Sequence, residues 1–488
     1  MSRITLALAI LALSPRLFSQ GPPPPPLPVP PVPVPAGNPI TAAKTRLGMS
    51  LFWDEQLSST RTVACGSCHI PASGGSDPRS GENLPASRHP GPDGIFGTGD
   101  DVVGSPGVPR SDAHGLYLFD PSFGLSPQVT ARKANSSINA AFAPELFWDG
   151  RATTEFRDPV SGNVVLASGA ALESQVLGPP LSEVEMAHVG RGWQDVTARI
   201  GSATPLALAE NVPASLADWI GRRSYAKLFD EAFGTPDVTA VRIAMAIATY
   251  ERTLVSDQSR LDSGTLNPQE QQGRQIFNSP QSRCRACHSG PLFTDDQFHY
   301  TGVRPAQEDV GRQAVTGLPQ DRGRFRTPGL RNVGLREPLF HNGRMATLED
   351  VVDFYNRGGD FNAPNKSPLV VPLPDLEVVT DLAALRRVLS NLLGNALDHA
   401  SPGSPVRVEA RRDEGDLLLS VSNRAENVSP EVAERALEPF WRGDPAHSDT
   451  GHVGLGLALC REIVELLGGA IEVSFEEGVF RATVRLFR

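Results

Sequence analysis

Two runs in this 488-residue chain set a pair of thiols beside an imidazole at the same spacing. VACGSCHIPASG carries Cys65, Cys68 and His69, and SRCRACHSGP carries Cys284, Cys287 and His288. Two cysteines separated by two residues and followed at once by histidine form the pattern that attaches a c-type heme. The thiols bond to the porphyrin vinyl groups and the imidazole reaches the iron. Half of a zinc site or a redox dithiol would also use such cysteines. Zinc normally needs a second pair nearby, however, and a redox pair does not need the histidine. The sequence predicts two covalently bound c-type hemes, with His69 and His288 as iron ligands. The fifth cysteine, Cys460, stands alone.

Each motif needs helices to hold it. ITAAKTRLGMSLFWDE reads as an amphipathic helix leading to the first, and LNPQEQQGRQIFNSP as a helix leading to the second, after a helical pattern through VRIAMAIATYERTLV. A helix followed by the motif, twice, predicts two mainly α, cytochrome c-like domains, 38–236 and 237–373. After the first motif a polar loop runs from about Pro71 to Gln128 and contains PDGIFGTGDD. Asp93, Asp100 and Asp101 there could ligate Ca2+ through oxygen, or form a solvated Asp-Gly turn cluster.

The first twenty residues have a basic start at Arg3, a short apolar run from Ile4 to Leu13 and a small residue at Ser19. This is the pattern of a secretory signal, and ten apolar residues are too few to span a bilayer. Residues 21–37 open on a proline run that reads as a polyproline II spacer. No later run is apolar for the roughly 18 residues of a spanning helix. The expected location is therefore the periplasm. A net charge of −10 argues against nucleic acid as a partner.

Beyond the first motif stand LFWDGR and ESQVLGPPLSEVEM. Beyond the second stands FRTPGLRNVGLREPLFHNGRMATLEDVVDFYNRGG. With these segments in this order, residues 38 to 373 resemble the bacterial di-heme cytochrome c peroxidases and their MauG-like relatives. The resemblance implies that Trp148 lies between the hemes and passes electrons, with a core aromatic as the alternative. It implies that Gln175, Pro179 and Glu185 form the distal pocket of the first heme. A carboxylate there takes a proton from hydrogen peroxide and returns it to the leaving oxygen; a surface glutamate on a loop is the alternative. About seventeen extra residues, around SGNVVLASGAALE, separate Trp148 from Gln175 and are expected to form a loop over the site. Where the peroxidases carry a methionine ligand to the second heme, this chain has Tyr355, which resembles the MauG-type arrangement. A phenolate would lower the potential of that iron; Met345 is the rival ligand. His89 and His114 lie where a removable distal ligand would come from, and neither has a context that assigns it.

From Thr380 the pattern changes. NLLGNALDHA resembles the N-box of histidine-kinase-type ATP-binding domains, LEPFWR the F-box and GHVGLGLAL a glycine box. The predicted fold of 375–488 is an α/β two-layer sandwich. The resemblance implies Asn391 near Mg2+, Asn395 near the nucleotide, and Gly454 and Gly456 near phosphates. The box whose aspartate holds adenine is altered: Asn423 stands for the aspartate, and Ala425 and Asn427 for the glycines. No phosphoacceptor helix precedes the domain, and an exported domain meets little ATP. Use of ATP with Mg2+ for phosphorylation is not expected. A degenerate fusion, or a join of two genes, fits these departures.

The function read from the residues is a peroxide-reducing enzyme fed by a small c-type cytochrome or copper protein, or a MauG-like oxidase of a protein substrate. A non-catalytic di-heme electron carrier and a redox sensor feeding the ATP-binding-like domain are the alternatives.

Overall fold

The computed structural model describes residues 28–81, 84–373, 382–413, 416–425, 433, 435–438 and 456–486. The signal-like segment, much of the proline-rich stretch, Asn427, Gly454 and the end of the F-box-like run lie outside them. The chain divides into two compact units between Pro374 and Asp375.

In the first unit, helix α1 (Ala42–Phe52) is capped by Thr41, whose hydroxyl accepts from the Lys44 N–H at 3.3 Å. Helices α2 (Ala171–Val176), α3 (Trp193–Ser202), α4 (Ala214–Ile220), α5 (Tyr225–Phe233) and α6 (Ala240–Glu251) follow. Thr239 caps α6 in the same way as Thr41 caps α1. Leu47 and Leu51 of α1 and Ile243 and Ile247 of α6 are almost fully buried in one core. Each such side chain stabilises the fold by about 1.5–3 kcal/mol. Gly48 lets the two helices approach closely, because a Cβ there would collide with the Ala246 carbonyl. Beside this core, Arg252 donates two 2.8 Å hydrogen bonds to Glu173 of α2, and Asn38 donates a third. All three side chains are buried.

The extra residues between Trp148 and Gln175 do not lie over the site. They form a hairpin of β1 (Phe156–Arg157) and β2 (Val164–Leu166). Leu166 is buried in the helical core, close to Gly37, and no residue between 152 and 171 lines the central cavity. The apolar side chain of Leu166 anchors the hairpin to the core, away from the pocket.

The second-heme half holds α7 (Pro268–Phe277) and α8 (Leu348–Asn356), each with a capping box, Asn267 with Glu270 and Thr347 with Asp350. Its core is small: Val303, Leu339, Met345 and Phe354. Ion pairs join the two halves, with Arg132 reaching Asp309 at 2.6 Å and Arg312 reaching Glu145 at 2.9 Å.

The second unit pairs α9 (Leu382–Asp398) and α10 (Gly456–Leu466) with a four-stranded antiparallel sheet. Its strands are β3 (Arg407–Asp413), β4 (Asp416–Arg424), β5 (Gly469–Glu476) and β6 (Val479–Leu486), in the order β5-β6-β4-β3. Val388 and Leu392 of α9 meet Val421, Ala482 and Val484 of the sheet in one core. This is the predicted two-layer sandwich. Among the described residues no helix is long and apolar enough to cross a membrane.

Candidate active site

Cys65–Cys68 form a single helical turn, with Ser67 Oγ accepting from the Ala64 N–H at 3.0 Å. Both thiols are free. His69 Nδ1 lies 3.2 Å from the Gly75 carbonyl, which orients the ring and leaves Nε2 for a metal. Burial lowers the imidazole's pKa, so it is neutral, the form that ligates iron. Gly75 turns the chain back at a φ of 77°. Cys65, Cys68, His69, Trp148, Gln175 and Glu185 line one cavity of about 620 Å³. That is the size of a cofactor pocket, and this donor set fits a covalently held heme.

Glu185 is raised above the usual carboxylate range by burial, an effect that the Arg151 guanidinium opposes. Its backbone is fixed by a 3.1 Å hydrogen bond to the Ser182 carbonyl. Arg191 clamps the segment that carries it. Its Nη1 donates to the carbonyls of Leu57 at 2.7 Å, Pro180 at 3.1 Å and Met186 at 3.2 Å. Gln175 enters from the last turn of α2, and Pro179 lines the same pocket.

Trp148 sits in a tight turn, closed by a bridge between Leu146 and Ala152 and opened by Phe147 at a φ of 63°. Its indole N–H donates to the Lys133 carbonyl at 2.8 Å. The His341 ring meets the indole edge-on, 6.1 Å between centroids, and stacks on Phe325 at 3.6 Å. Burial pulls the His341 pKa down to about 3, so the ring is neutral. The sequence holds a signal for His341 that motif reading passes over. LFWDGR from Leu146 and LFHNGR from Leu339 are copies, and the structure repeats them. Leu339 bridges Met345 as Leu146 bridges Ala152, and Phe340 has a φ of 67°. The Lys133 N–H donates to the His341 carbonyl, as the Arg326 N–H does to that of Trp148. Lys133, also unforeseen, is buried, and its ammonium donates to Ser76 Oγ at 3.0 Å and the Arg336 carbonyl at 2.7 Å.

At the second motif, Cys284–Ala286 form a 3-10 turn and Arg285 is exposed. His288 Nδ1 lies 2.9 Å from the Phe293 carbonyl, again leaving Nε2 for iron. Tyr355 projects from α8 close to both cysteines. Burial, reinforced by their thiolate charge, raises its phenol pKa. Met345 is 6% exposed and packs in the small core beside Phe354 and Tyr355. Both candidate ligands are therefore in the same half.

The two histidines left unassigned part company. His89 lines the cavity and accepts from the Gly91 N–H at 3.1 Å, while His114 is exposed and does not line it. Asp93, Asp100 and Asp101 share one loop, where each accepts from the loop's own N–H groups, at Ile95, Asp93 and Gly97. In the second unit, Asn395 lies against Gly456. Asn391 is half-buried on α9, one turn beyond Val388, whose carbonyl accepts from the buried Cys460 thiol. Asn423 is buried on β4.

Two C-x-x-C-H turns in one compact unit, with Glu185 and Trp148 lining the cavity at the first, are the residue set of a di-heme c-type peroxidase. The family model for di-haem cytochrome c peroxidase matches residues 42–271, and that for histidine kinase-, DNA gyrase B- and HSP90-like ATPases matches residues 380–487. The chain is 30% identical over 354 residues to the cytochrome c551 peroxidase of Nitrosomonas europaea, covering 70% of this chain and 82% of the relative. It is 29% identical over 410 residues to the cytochrome-c peroxidase IdrP1 of Denitromonas iodatirespirans, covering 76% and 87%. It is 29% identical over 332 residues to the methylamine utilization protein MauG of Methylorubrum extorquens, covering 66% and 71%. The chain belongs to the di-heme cytochrome c peroxidase and MauG family and is a peroxidase-type oxidoreductase. Its last quarter has the histidine-kinase ATPase fold.

Proposed function

We propose that the chain is exported to the periplasm. There it reduces hydrogen peroxide with electrons from a small c-type cytochrome or copper protein, or turns the peroxide's oxidising power on a protein substrate. One observation carries this: Glu185, Gln175 and Trp148 line the same cavity as Cys65, Cys68 and His69. Cys65, Cys68 and His69 would hold the peroxide-binding heme. Cys284, Cys287 and His288, with Tyr355 as the further ligand, would hold the electron-exchanging one. Each heme, when bound, supplies the iron for peroxide binding or electron exchange.

The protein's own part is to position and to move protons. Glu185 takes a proton from one peroxide oxygen and gives it to the other, so that the leaving oxygen departs as water. Gln175 offers an amide to orient the peroxide. The Arg191 clamp holds Glu185 in place, since misplacement of a catalytic group by about 1 Å can cost 10²-fold in rate. Trp148 carries electrons between the halves, held by its hydrogen bond to Lys133 and flanked by His341. The ATPase-like unit is assigned no phosphoryl transfer, in keeping with Asn423 and Ala425 in the adenine box.

The test is a peroxide titration of the fully ferric holoprotein followed by optical and EPR spectra. A change at both hemes with one equivalent, without prior reduction, supports MauG-like storage of two oxidising equivalents and ligation by Tyr355. Reaction only after one heme is reduced supports a donor-dependent peroxidase with a gated site, for which His89, which lines the cavity, is the candidate gate. Reaction in neither state leaves an electron carrier and overturns the roles of Glu185 and Gln175.

A further inference from the structure

Turning one hydrogen peroxide into two waters consumes two electrons and two protons. Glu185, which moves a proton from one peroxide oxygen to the other, ends as it began and supplies neither proton. The donor brings the electrons. The protons must enter a buried cavity through a group that can hold one there.

The cavity contains a second acid in a position to do this. Glu251 is the last residue of α6 and lines the cavity one turn beyond Ile247. It is 6% exposed, and among the described residues its Oε2 has no hydrogen-bond partner. Apart from Glu185, the other lining carboxylates differ. Asp309 is paired with Arg132, Glu308 with Arg304, and Asp100 accepts from Thr98. The adjacent cation, Arg252, is committed to Glu173 through its two 2.8 Å bonds. Glu251 also sits at the C-terminal end of its helix, where the peptide dipoles disfavour negative charge. A buried carboxylate with no cation of its own takes up a proton rather than bear the cost of an unpaired charge.

We propose that Glu251 is the proton-holding residue of the first-heme cavity. It gives up its proton when electrons arrive and is reprotonated from solvent before the next turnover. This rests on the peroxidase reading above. The titratable and charged groups facing it are Cys65 on the first-motif turn, Glu173 on α2, and Tyr250 and Arg252 on its own helix end. Burial raises its pKa to about 8; Arg252 opposes this and Glu173 adds to it. Attachment of heme turns Cys65 into a neutral thioether, which leaves the burial in place. Glu251 is thus protonated at neutral pH and ionises as pH rises through about 8.

The test compares the wild-type holoprotein with Glu251→Gln and Glu251→Asp. Infrared spectra of the ferric protein in H2O and D2O should show a protonated-carboxyl carbonyl band that Glu251→Gln removes. Turnover with an artificial electron donor should fall in the wild type as pH rises through about 8. In Glu251→Gln it should be lower by about 100-fold, the low end of what a positioned acid contributes, and flat across that range. Peroxide binding in the first milliseconds should be unchanged, which separates Glu251 from Glu185. Glu251→Asp, which keeps the acid should the amide variant fail to take up heme, should retain the band and part of the rate. A Glu251→Gln protein with the wild-type band and pH profile overturns the proposal, as does a Glu251→Asp protein that lacks the band. Wild-type protein that consumes no peroxide overturns the peroxidase reading instead, and the infrared band still decides whether Glu251 holds a proton.

Discussion

The two heme-attachment sites share a motif and a histidine geometry but little of their surroundings. In both, the ring Nδ1 is fixed by a carbonyl a few residues on, Gly75 in one and Phe293 in the other. The first motif is backed by the large core of α1, α3, α5 and α6 and opens into a cavity that holds Glu185, Gln175 and Glu251. The second rests on a small core, follows a helix with no fully buried residue, and leaves Arg285 exposed beside its cysteines. The difference fits the division of tasks proposed for the two sites. Cleaving peroxide needs acids held out of water, where their proton affinity is raised. Exchanging electrons with a partner needs a heme near the surface.

The sharpest way to break this comparison is to remove the acid from the first site. Glu185→Gln should lower kcat/KM for peroxide by about 10²–10⁴-fold, measured by stopped flow, and leave the optical spectrum of the second heme unchanged. Equal damage at both hemes would mean that the two halves do not divide the work. Next in size is the stability of each half. Glu173→Ala leaves Arg252 buried without its partner and should cost about 3–5 kcal/mol in denaturant unfolding. In the second half, Asp262→Asn weakens the pair with Arg331 and should cost less, about 1–3 kcal/mol. The reverse order would show that the second half is the better packed.

Tyr355→Met should raise the midpoint potential of the second heme by a fraction of the roughly 0.8 V that axial ligands span, and leave the first where it is. Spectroelectrochemistry decides it, and an unmoved second potential would transfer ligation to Met345 or another residue. The smallest effect is in acid. Arg331 holds the Asp262 carboxyl well below its ordinary value. Because the folded pKa lies below the unfolded one, the pair's stabilisation is present above pH about 4 and is lost as pH falls through the folded value. Acid titration should therefore loosen the second half, and Asp262→Asn should flatten that part of the curve.

Much of the framework can be read from local pattern. The helices before each motif, and the strands and helices of the last quarter, follow from apolar periodicity and from caps such as Thr41, Thr239 and Asn267. The hairpin 156–166 misleads, because an insertion beside a site can pack against the core as readily as over the pocket. Leu166 decided which. His341 escapes motif reading because a lone histidine in HNG has no attached cysteines. Only the repeat of LFWDGR and LFHNGR marks it. Glu251 has no local signal: it is one more charge at a helix end until the fold buries it.

By itself the sequence determined the chemistry that spacing can encode. Cys65, Cys68 and His69, and Cys284, Cys287 and His288, fall within one turn of chain, so their relation is fixed by covalent geometry wherever the chain goes. The tertiary structure decided which acids and aromatics meet those sites. Glu185, Glu251, Trp148 and His341 all lie more than seventy residues beyond His69 in the chain, and they converge on its cavity only because the helical core and the inter-half ion pairs bring them together. It also decided their protonation, because desolvation depends on what surrounds a group in space rather than on what precedes it in the chain.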